Sequence, residues 1–315
     1  MNIAQPLVTI GISTYNRSES LHQYSLSAIE KLTYPNYEVI VVDDCSTDKT
    51  QQILGQYKDK LKKFRILRND KNRGLPYSRN QILKNAKGNI IVFTDDDVSL
   101  FPNCLDEIIK IYTQYPEVAF IWGCVYQCHG SHDRNEPTFG SGSLFSIKGT
   151  VVNCFRFDTN IQYFKTYGCE EHDFARRVQR AQLKIIKAET VKANHYQAPA
   201  KDRAWRGLGG DLNHLYEITK RNSIWMYYKC LILGIPYTFQ RFTAKNDFDK
   251  KFHQYPYKEA IHAFYRVLVF IKEGKLEIAG KYLFYTIVDI PIRAKIRGTM
   301  ETKQARKFAQ DPRSN

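Results

Sequence analysis

The sequence of this 315-residue chain lacks the features that are typical of secreted, membrane-spanning and repeat proteins. The first residues lack a basic stretch followed by an apolar one, which argues against a signal peptide. A membrane-spanning helix needs about 20 mostly apolar residues, and the best candidate, residues 223–239, contains a lysine and a proline. We find neither an internal repeat nor a low-complexity tract. A cytoplasmic protein with a sizeable core is therefore expected.

The cysteines are too few and too scattered to indicate a disulfide framework. There are seven, an odd number, which is typical of reduced cytosolic thiols. Cys124 and Cys128, followed by His129, raise the alternative of a zinc site. On a strand, however, four residues span about 13 Å, which is too far for two ligands of one ion. The pattern therefore disfavours zinc.

Positive charge is concentrated in the second part of the chain. Residues 1–199 hold 25 Lys and Arg against 21 Asp and Glu, whereas residues 200–315 hold 22 against 11. With the loop-like composition of residues 197–210, this contrast predicts a first domain over 1–199 and a basic, mostly helical extension over 200–315. Such charge attracts nucleic acid, acidic membranes or acidic partners. Without a recognisable base-reading motif we expect no nucleic acid, and the extension either lies on a membrane or packs on the first domain.

Residues 1–100 alternate between strand-like and helix-like runs. Repeated units of this kind predict an α/β fold, with a Rossmann-like, mainly parallel sheet and helices on both faces. Ligands of such sheets bind beyond the carboxyl ends of the strands. Residues 129–142, rich in Gly, Ser, Asp, His and Pro, are predicted to form a mobile loop. The predicted strands of the first 100 residues are 7–12, 37–42, 64–67 and 89–94.

Three consecutive aspartates, Asp95, Asp96 and Asp97, follow the apolar run of the fourth predicted strand. Carboxylates that share one site repel each other and are costly to hold together without a partner. A divalent cation is the simplest partner, because hard oxygen ligands suit Mg²⁺ or Mn²⁺. The alternative is an ordinary turn, for which Asp is well suited. We interpret the triplet as part of a metal and phosphate site.

Polar clusters follow other predicted strands or open predicted helices. Thr14, Tyr15 and Arg17 come after the first strand and can form the hydrogen-bonding rim that a nucleobase needs. His195 comes 24 residues after Glu171. The remaining clusters are Asp43–Asp48, Asn72–Leu75 with Arg79 and Asn80 behind it, and Gly168–Asp173.

The order of these motifs resembles the family 2 glycosyltransferases, which have the GT-A fold. Residues 34–48 look very like that family's second strand and the loop after it. Residues 73–80 are similar to its glycine-and-arginine segment, and the aspartate triplet is similar to its DXD motif. The resemblance covers roughly residues 5–197, and motifs in this order are hard to explain by chance.

The resemblance implies a site for a nucleotide-diphosphate sugar donor. Asp44 would contact the base or ribose, although it could instead cap the following helix. Arg79 could contact phosphate or pair with the aspartates. Asp96 could face away from the ligand, because side chains alternate in an extended segment. The donor-side residues are predicted to be Thr14, Tyr15, Arg17, Asp43, Asp44, Gly74, Arg79, Asp95 and Asp96.

The resemblance also implies a metal ion and a catalytic base. Asp97 and His195 would hold Mn²⁺ or Mg²⁺, and the imidazole suits Mn²⁺ better. The alternative for His195 is a structural or solvated surface histidine. Glu170 and Glu171 match the family's Glu–Asp pair, and we predict Glu171 as the base with Glu170 as its helper. Attack of a hydroxyl from the face opposite the phosphate would invert the anomeric centre. The alternative is that both glutamates only stabilise a helix N-terminus. Gly140–Ser143 either lines the acceptor and donor-sugar side, as the resemblance implies, or forms a plain turn.

The sequence therefore predicts an inverting, metal-dependent glycosyltransferase with a hydroxyl acceptor, either a glycan or a lipid-linked molecule. Surface polysaccharide or glycoconjugate synthesis is the expected setting, and the basic, aromatic helices suggest peripheral contact with the inner face of the plasma membrane. A nucleotidyltransferase would need a Gly-rich phosphate loop in the first turn, which here is Ser13–Arg17. An inactive sugar-nucleotide-binding module would not need complete acidic motifs.

Overall fold

A computed structural model of the chain describes residues 5–61, 63–129, 132–140, 142–165, 168–196, 210–220, 223–225, 227–229, 231–232 and 258–309. The chain forms two compact units. The first comprises residues 1–159, 170–203 and 305–315, and the second comprises residues 160–169 and 204–304. The boundary that the charge distribution places after residue 199 stays a prediction.

A nine-stranded mixed sheet forms the centre of the first unit. Its order is β3-β2-β1-β4-β8-β6-β9-β5, with β7 paired to β6. β3, β2, β1 and β4 are mutually parallel, as are β6 and β9. β8, β7 and β5 run antiparallel to their neighbours. The strands are β1 (Val8–Thr14), β2 (Tyr37–Asp43), β3 (Phe64–Arg68), β4 (Ile90–Asp95), β5 (Val98–Leu100), β6 (Val118–His129), β7 (His132–Phe139), β8 (Leu144–Lys148) and β9 (Lys184–Tyr196).

Both faces of β1, β2 and β4 are buried. Along β2, Val39 and Val41 enter one hydrophobic cluster, whereas Ile40 and Val42 enter the other. Side chains alternate between the two faces of a strand. A strand that is buried on both sides must therefore be apolar at consecutive positions, which is why these runs are continuous in the sequence.

Helices of the first unit cover this sheet, and helices form most of the described second unit. The first helix, α1, has three consecutive segments, of which the middle one is π-helical. The segments of α1 are Ser18–Ser20, Leu21–Leu26 and Ser27–Ile29. The others are α2 (Thr50–Gln56), α3 (Leu75–Asn85), α4 (Cys104–Gln114), α5 (Gly149–Val152), α6 (Glu170–Arg180), α7 (Gly210–Thr219), α8 (Lys258–Lys272), α9 (Leu276–Phe284) and α10 (Ile290–Ala309), with a π-helical segment at Tyr285–Asp289.

The mobile loop predicted over residues 129–142 is wrong for most of its length. His132–Phe139 forms strand β7, which pairs with β6 through Cys124 opposite Phe139 and Val125 opposite Thr138. Its polar composition indicated a loop, but backbone ladder hydrogen bonds do not depend on apolar side chains. A strand with one paired side can therefore form from residues that have low intrinsic strand propensity.

The second unit has a core of its own. Tyr216 from α7 and Tyr282 from α9 are completely buried, together with Ile290 from α10. Tyr163 donates a hydrogen bond from its hydroxyl to Asp289 Oδ2 at 2.8 Å. Within the described ranges, we find no helix with the length and apolar content needed to span a bilayer.

The register of the parallel strands brings three polar ends together. Thr14 lies opposite Asp43, and Ser13 lies opposite Asp95. These are the last residues of β1, β2 and β4 or their immediate neighbours. Polar side chains that are up to about 80 positions apart in the sequence therefore lie together at the carboxyl-terminal edge of the sheet.

Candidate active site

The three aspartates of the triplet have different surroundings. Asp95 is the last residue of β4, and Asp96 and Asp97 form the turn into β5. The Asp95 side chain is 30% exposed, whereas those of Asp96 and Asp97 are 7% and 6% exposed. Buried carboxylates require cationic or hydrogen-bonding partners, and the residues after β1 provide them.

Thr14 and Arg17 hold the two buried aspartates. The Thr14 hydroxyl donates to Asp96 Oδ2 at 2.8 Å. The Nε atom of Arg17 lies 3.2 Å from Asp96 Oδ1, and its Nη2 atom lies 2.5 Å from Asp97 Oδ2. Burial raises the pKa of Asp96 to about 7, with Arg17 opposing the shift and repulsion from Asp97 adding to it. Asp96 therefore has its partners within the protein, Thr14 and Arg17, and they differ from the partner of Asp95.

His195 lies beside the third aspartate. It is on β9, opposite Val98 of β5, and its Nε2 is 3.2 Å from Asp97 Oδ1. Its Nδ1 is 3.4 Å from the Ser143 hydroxyl oxygen. Burial opposes ionisation of both partners, but their mutual attraction outweighs it, so the pKa of His195 is raised and that of Asp97 is lowered.

Asp97 and His195 fit a divalent metal ion by chemistry and by distance. Carboxylate oxygen and imidazole nitrogen are both ligands that Mn²⁺ accepts. Adjacent ligands of an octahedral ion with bonds of about 2.1 Å lie about 3.0 Å apart, and Asp97 Oδ1 lies 3.2 Å from His195 Nε2. The Ser13 hydroxyl, opposite Asp95 in the register, is buried without a hydrogen-bond partner among the described residues. The end of β1 therefore offers a further polar atom to a ligand.

Arg79 connects the aspartate triplet to the glutamate pair. This arginine of α3 has its Nη1 2.8 Å from Glu170 Oε1 and 3.8 Å from Glu171 Oε2. Its Nη2 is 3.3 Å from Asp95 Oδ1 and donates to the Gly142 carbonyl at 2.9 Å. Of the two roles left open for Arg79, ion pairing with the acidic residues is the one that this geometry contains.

Glu171 has a second neighbour on its own helix, a histidine that carries positive charge when it is protonated. His172 Nδ1 lies 3.3 Å from Glu171 Oε1, and the His172 ring packs against Trp122 with centroids 5.4 Å apart. Burial alone would raise the pKa of Glu171, but the hydrogen bond from His172 and the charge of Arg79 outweigh it and lower that pKa. The carboxylate of Glu171 is therefore charged at neutral pH and can accept a proton.

Gly142 allows the segment before β8 to pass close to Glu171. A Cβ atom at Gly142 would lie 3.0 Å from Glu171 Cδ and 3.1 Å from Oε1, closer than side chains normally approach. The Gly142 carbonyl is also the acceptor for Arg79. This residue therefore belongs to the site, whichever ligand the segment faces.

Asp44 organises the loop that leads into α3. Its Oδ1 accepts hydrogen bonds from Asn69 Nδ2 at 2.6 Å and from the Arg73 amide at 2.8 Å. Its Oδ2 accepts one from the Gly74 amide at 2.7 Å. Gly74 has φ 90° and immediately precedes α3, a conformation that favours glycine. Asp44 does not cap the helix after β2, which was the alternative role, but shapes the next loop along the sheet edge.

Asp43 has internal partners as well. Its Oδ1 accepts from the Ser46 amide at 2.8 Å, and its Oδ2 accepts from Arg68 Nη1 at 2.6 Å and from Gln51. The side chain is fully buried. Tyr15 is 42% exposed and takes no part in the ion pairs and hydrogen bonds given above for the described residues.

The predicted residues thus form one connected group and one neighbouring group. The connected group consists of two sets of paired side chains that are joined through the consecutive aspartates. One set is Thr14, Arg17, Asp96, Asp97 and His195, and the other is Arg79, Asp95, Glu170 and Glu171. Asp43, Asp44 and Gly74 form the neighbouring group, which is joined to the first by the Asp44 amide donating to the Thr14 carbonyl at 2.9 Å. His172 was not predicted as a site residue, and its position next to Glu171 was the available signal. For Gly142 and Ser143 the sequence left open whether they line the site or form a plain turn.

Comparison with known proteins identifies the family. The protein-family model described as glycosyl transferase family 2 matches residues 9–175, which is more than half of the chain. The chain belongs to glycosyl transferase family 2. An uncharacterized glycosyltransferase of Haemophilus influenzae is 37% identical over 192 residues, which cover 61% of this chain and 69% of that protein.

Other relatives of this family 2 chain are matched over less of their length. The putative colanic acid biosynthesis glycosyl transferase WcaA of Escherichia coli K12 is 36% identical over 127 residues. Those residues cover 40% of this chain and 44% of WcaA. The putative teichuronic acid biosynthesis glycosyltransferase TuaG of Bacillus subtilis is 33% identical over 93 residues, which cover 30% of this chain and 36% of TuaG. The chain therefore spans less than half the length of these two relatives.

Solved transferase structures share the fold of this family 2 chain. Staphylococcus aureus TarS 1–349 in complex with UDP-GlcNAc matches with a TM-score of 0.58 and 14% identity, over 96% of this chain and 91% of TarS. The mannosyltransferase PcManGT from Pyrobaculum calidifontis, in complex with GDP-Man and Mn²⁺, matches with a TM-score of 0.53 and 18% identity, over 98% and 88%. The predicted α/β GT-A fold is confirmed by these matches.

Proposed function

We propose that this chain transfers a sugar from a nucleoside-diphosphate donor to a hydroxyl acceptor, with inversion at the anomeric carbon. The observation that carries the proposal is the position of Arg79 between Asp95 and the pair Glu170–Glu171. Arg79 connects the aspartate triplet, which is suited to hold a metal ion beside a diphosphate, with Glu171. The charged carboxylate of Glu171 is suited to accept a proton. A transferase of this type needs both functions close to one anomeric carbon.

Glu171 is the base in this proposal. Its charge at neutral pH lets it accept the proton of the attacking hydroxyl, and the pairing with His172 holds one carboxylate oxygen in place. Glu170 is almost completely buried and pairs with Arg79, so its role is to position the arginine. A base on the opposite side from the leaving group favours direct displacement, which inverts the configuration.

The donor side is formed by the ends of β1, β2 and β4. Asp97 and His195 would hold Mn²⁺ or Mg²⁺, which when bound supplies positive charge for the departing diphosphate. Asp44 accepts three internal hydrogen bonds of the about four that a carboxylate can accept, so one acceptor site is left and Asp44 remains our candidate for contact with the nucleoside. TarS and PcManGT were solved with UDP-GlcNAc and with GDP-Man and Mn²⁺, which supports a nucleotide-sugar donor here.

The setting that we propose is the synthesis of a surface polysaccharide or glycoconjugate in the cytoplasm. The names of WcaA and TuaG refer to colanic acid and teichuronic acid biosynthesis, which supports a glycan or lipid-linked acceptor. We further propose peripheral contact with the inner face of the plasma membrane.

A donor screen tests the proposed reaction. Purified protein is incubated with Mn²⁺ and UDP-, GDP- or dTDP-sugars, with and without glycan and lipid-linked acceptors, and the released nucleoside diphosphate is measured. We expect release with one donor class that rises when an acceptor is added. Nucleotide-sugar binding without release under every condition would favour the inactive binding module instead.

A further inference from the structure

An exposed apolar row follows the last helices of the second unit. We call it the C-terminal stripe, and it consists of Phe284, Val288, Ile292, Ile296 and Met300. The exposed fractions of these five residues are, in the same order, 53%, 40%, 53%, 60% and 57%. They occur at every fourth position from the end of α9, through the π-helical segment, into α10. The stripe is therefore one continuous surface feature and not a set of isolated residues.

The stripe faces away from the core of its own unit. Tyr282, Thr286, Ile290 and Ala294 are fully buried, and each lies two positions before a residue of the stripe. Two positions correspond to about 200° around a helix, so the two rows point in nearly opposite directions. A surface helix normally has polar residues on the face opposite its buried one. Here that face is apolar.

Exposed apolar side chains are concentrated in this unit. Of the described large hydrophobic residues that are exposed, only Tyr15 and Tyr115 belong to the first unit, and the others lie between residues 225 and 300. Trp225 is the most exposed of all, at 82%. Single exposed apolar residues are ordinary, but a contiguous row of them marks an interaction surface.

Positive charge accompanies the stripe. Residues 281–303 contain five Lys and Arg and two acidic residues. The acidic side chains of Asp289 and Glu301 are 13% and 6% exposed and pair with Arg293 and Arg297. The side chains of Lys281 and Arg293 are 55% and 47% exposed. Lys281 pairs with Glu277, whose side chain is 81% exposed, so charge is balanced where the stripe begins, and the excess of basic residues lies along α10.

We propose that the C-terminal stripe lies flat on an anionic lipid bilayer. Its apolar side chains would enter the boundary between headgroups and acyl chains, while the flanking lysines and arginines contact lipid phosphates. A second copy of the chain fits less well, because the basic residues would meet their own copies. A spacing of four residues throughout also lacks the alternation of three and four found in a coiled-coil seam. This proposal rests on the membrane contact proposed above, to which it assigns a surface, and its test does not depend on the sugar transfer.

Vesicle sedimentation with the full chain tests the proposal. Wild-type protein is mixed with phosphatidylcholine vesicles that contain or lack phosphatidylglycerol, at low and high salt. The test variant is Ile292→Asn/Ile296→Asn, and Tyr115→Asn serves as the control, since it removes an exposed apolar side chain in the first unit. We expect sedimentation with the anionic vesicles only, about a tenfold loss of partitioning in the test variant, and no loss in the control.

Several results would overturn the proposal. They are a failure of the wild type to sediment with anionic vesicles, equal binding to neutral vesicles, or unchanged binding of the test variant. A wild-type dimer in light scattering that dissociates in the test variant would assign the stripe to a second copy instead. Circular dichroism checks the fold of each variant. If Ile292→Asn/Ile296→Asn unfolds, Phe284→Asn/Met300→Asn at the two ends of the stripe replaces it, with the same expected loss.

Discussion

Arg79 and Glu170 form an ion pair of 2.8 Å inside the first unit, and their side chains are only 3% and 1% exposed. They are 91 residues apart in the chain. The arginine belongs to the helix before the fourth strand, and the glutamate opens a helix much later. This pair therefore holds the donor side and the proposed base side in one arrangement.

Removing the arginine should destabilise the protein strongly. In Arg79→Met, Glu170 would remain buried without its cation, and breaking a buried pair in this way costs about 3–5 kcal/mol. Urea denaturation measures the loss in free energy of unfolding. The control is Arg73→Met, whose pair with Asp70 is exposed and is worth about 0–1 kcal/mol. Equal losses in the two variants would show that the Arg79 pair has no special structural role.

Neutralising the proposed base should separate catalysis from donor binding. We expect Glu171→Gln to lower the rate of sugar transfer by about 10²- to 10⁴-fold while donor affinity, measured by calorimetry, stays unchanged. Glu117→Gln is the matched control, because that glutamate is an exposed partner of Lys184. A loss of donor affinity in Glu171→Gln would reassign the residue to the donor side.

Removing a proposed metal ligand should abolish the metal dependence of donor binding. In wild-type protein, we expect Mn²⁺ to tighten nucleoside-diphosphate binding and chelation to reverse the effect. Asp97→Ala should bind with the weak, metal-independent affinity of the chelated wild type, because the carboxylate that faces His195 is lost. Asp70→Ala provides an exposed aspartate as control. Unchanged metal dependence in Asp97→Ala would remove Asp97 from the metal site.

A methyl group at Gly142 should disturb the base without disrupting the fold. The added Cβ would lie 3.0 Å from Glu171 Cδ, so either the carboxylate or the segment must shift. We expect Gly142→Ala to lower the transfer rate at least tenfold, with a smaller effect on thermal unfolding. Gly55→Ala is the control, because its Cβ would meet nothing within 4 Å and should stabilise α2 by about 0.5–1 kcal/mol. Wild-type activity in Gly142→Ala would show that this close approach is unimportant.

The histidine beside the base should set the acid limb of the pH–rate profile. Burial alone raises the pKa of Glu171, but His172 and Arg79 outweigh it and bring that pKa below its ordinary value of 4.5. With the metal site kept saturated, because protonation of His195 competes with the metal at higher pH, protonation of Glu171 should therefore lower activity only below about pH 4.5. In His172→Gln, the pKa of Glu171 should rise, which moves the acid limb to higher pH.

The same shift has a consequence for stability. Because the folded pKa of Glu171 is lowered, its ionised form stabilises the fold above the unfolded pKa, and this contribution is lost as pH falls through the folded pKa.

His22→Gln serves as the control for the pH profile, since His22 pairs with Tyr57 away from Glu171. An identical acid limb in wild type and His172→Gln would contradict the role of His172.

Local sequence patterns predicted β1, β2 and β4 because burial on both faces makes these strands largely apolar. The same patterns located the polar ends, such as Asp95–Asp97, because a strand that stops at a sheet edge changes abruptly from apolar to polar. β7 was missed because its pairing with β6 depends on backbone hydrogen bonds, and its own residues have the composition of a loop.

The sequence by itself determined the α/β order, the acidic motifs and their placement at strand ends, since all three depend on neighbours in the chain. Only the tertiary structure decided that Arg79 pairs with Glu170, that Asp44 holds the loop before α3, and that the C-terminal stripe faces solvent. Each of these depends on which distant residues meet, or on which side of a helix the core lies. Neither is encoded by the spacing of residues along one element.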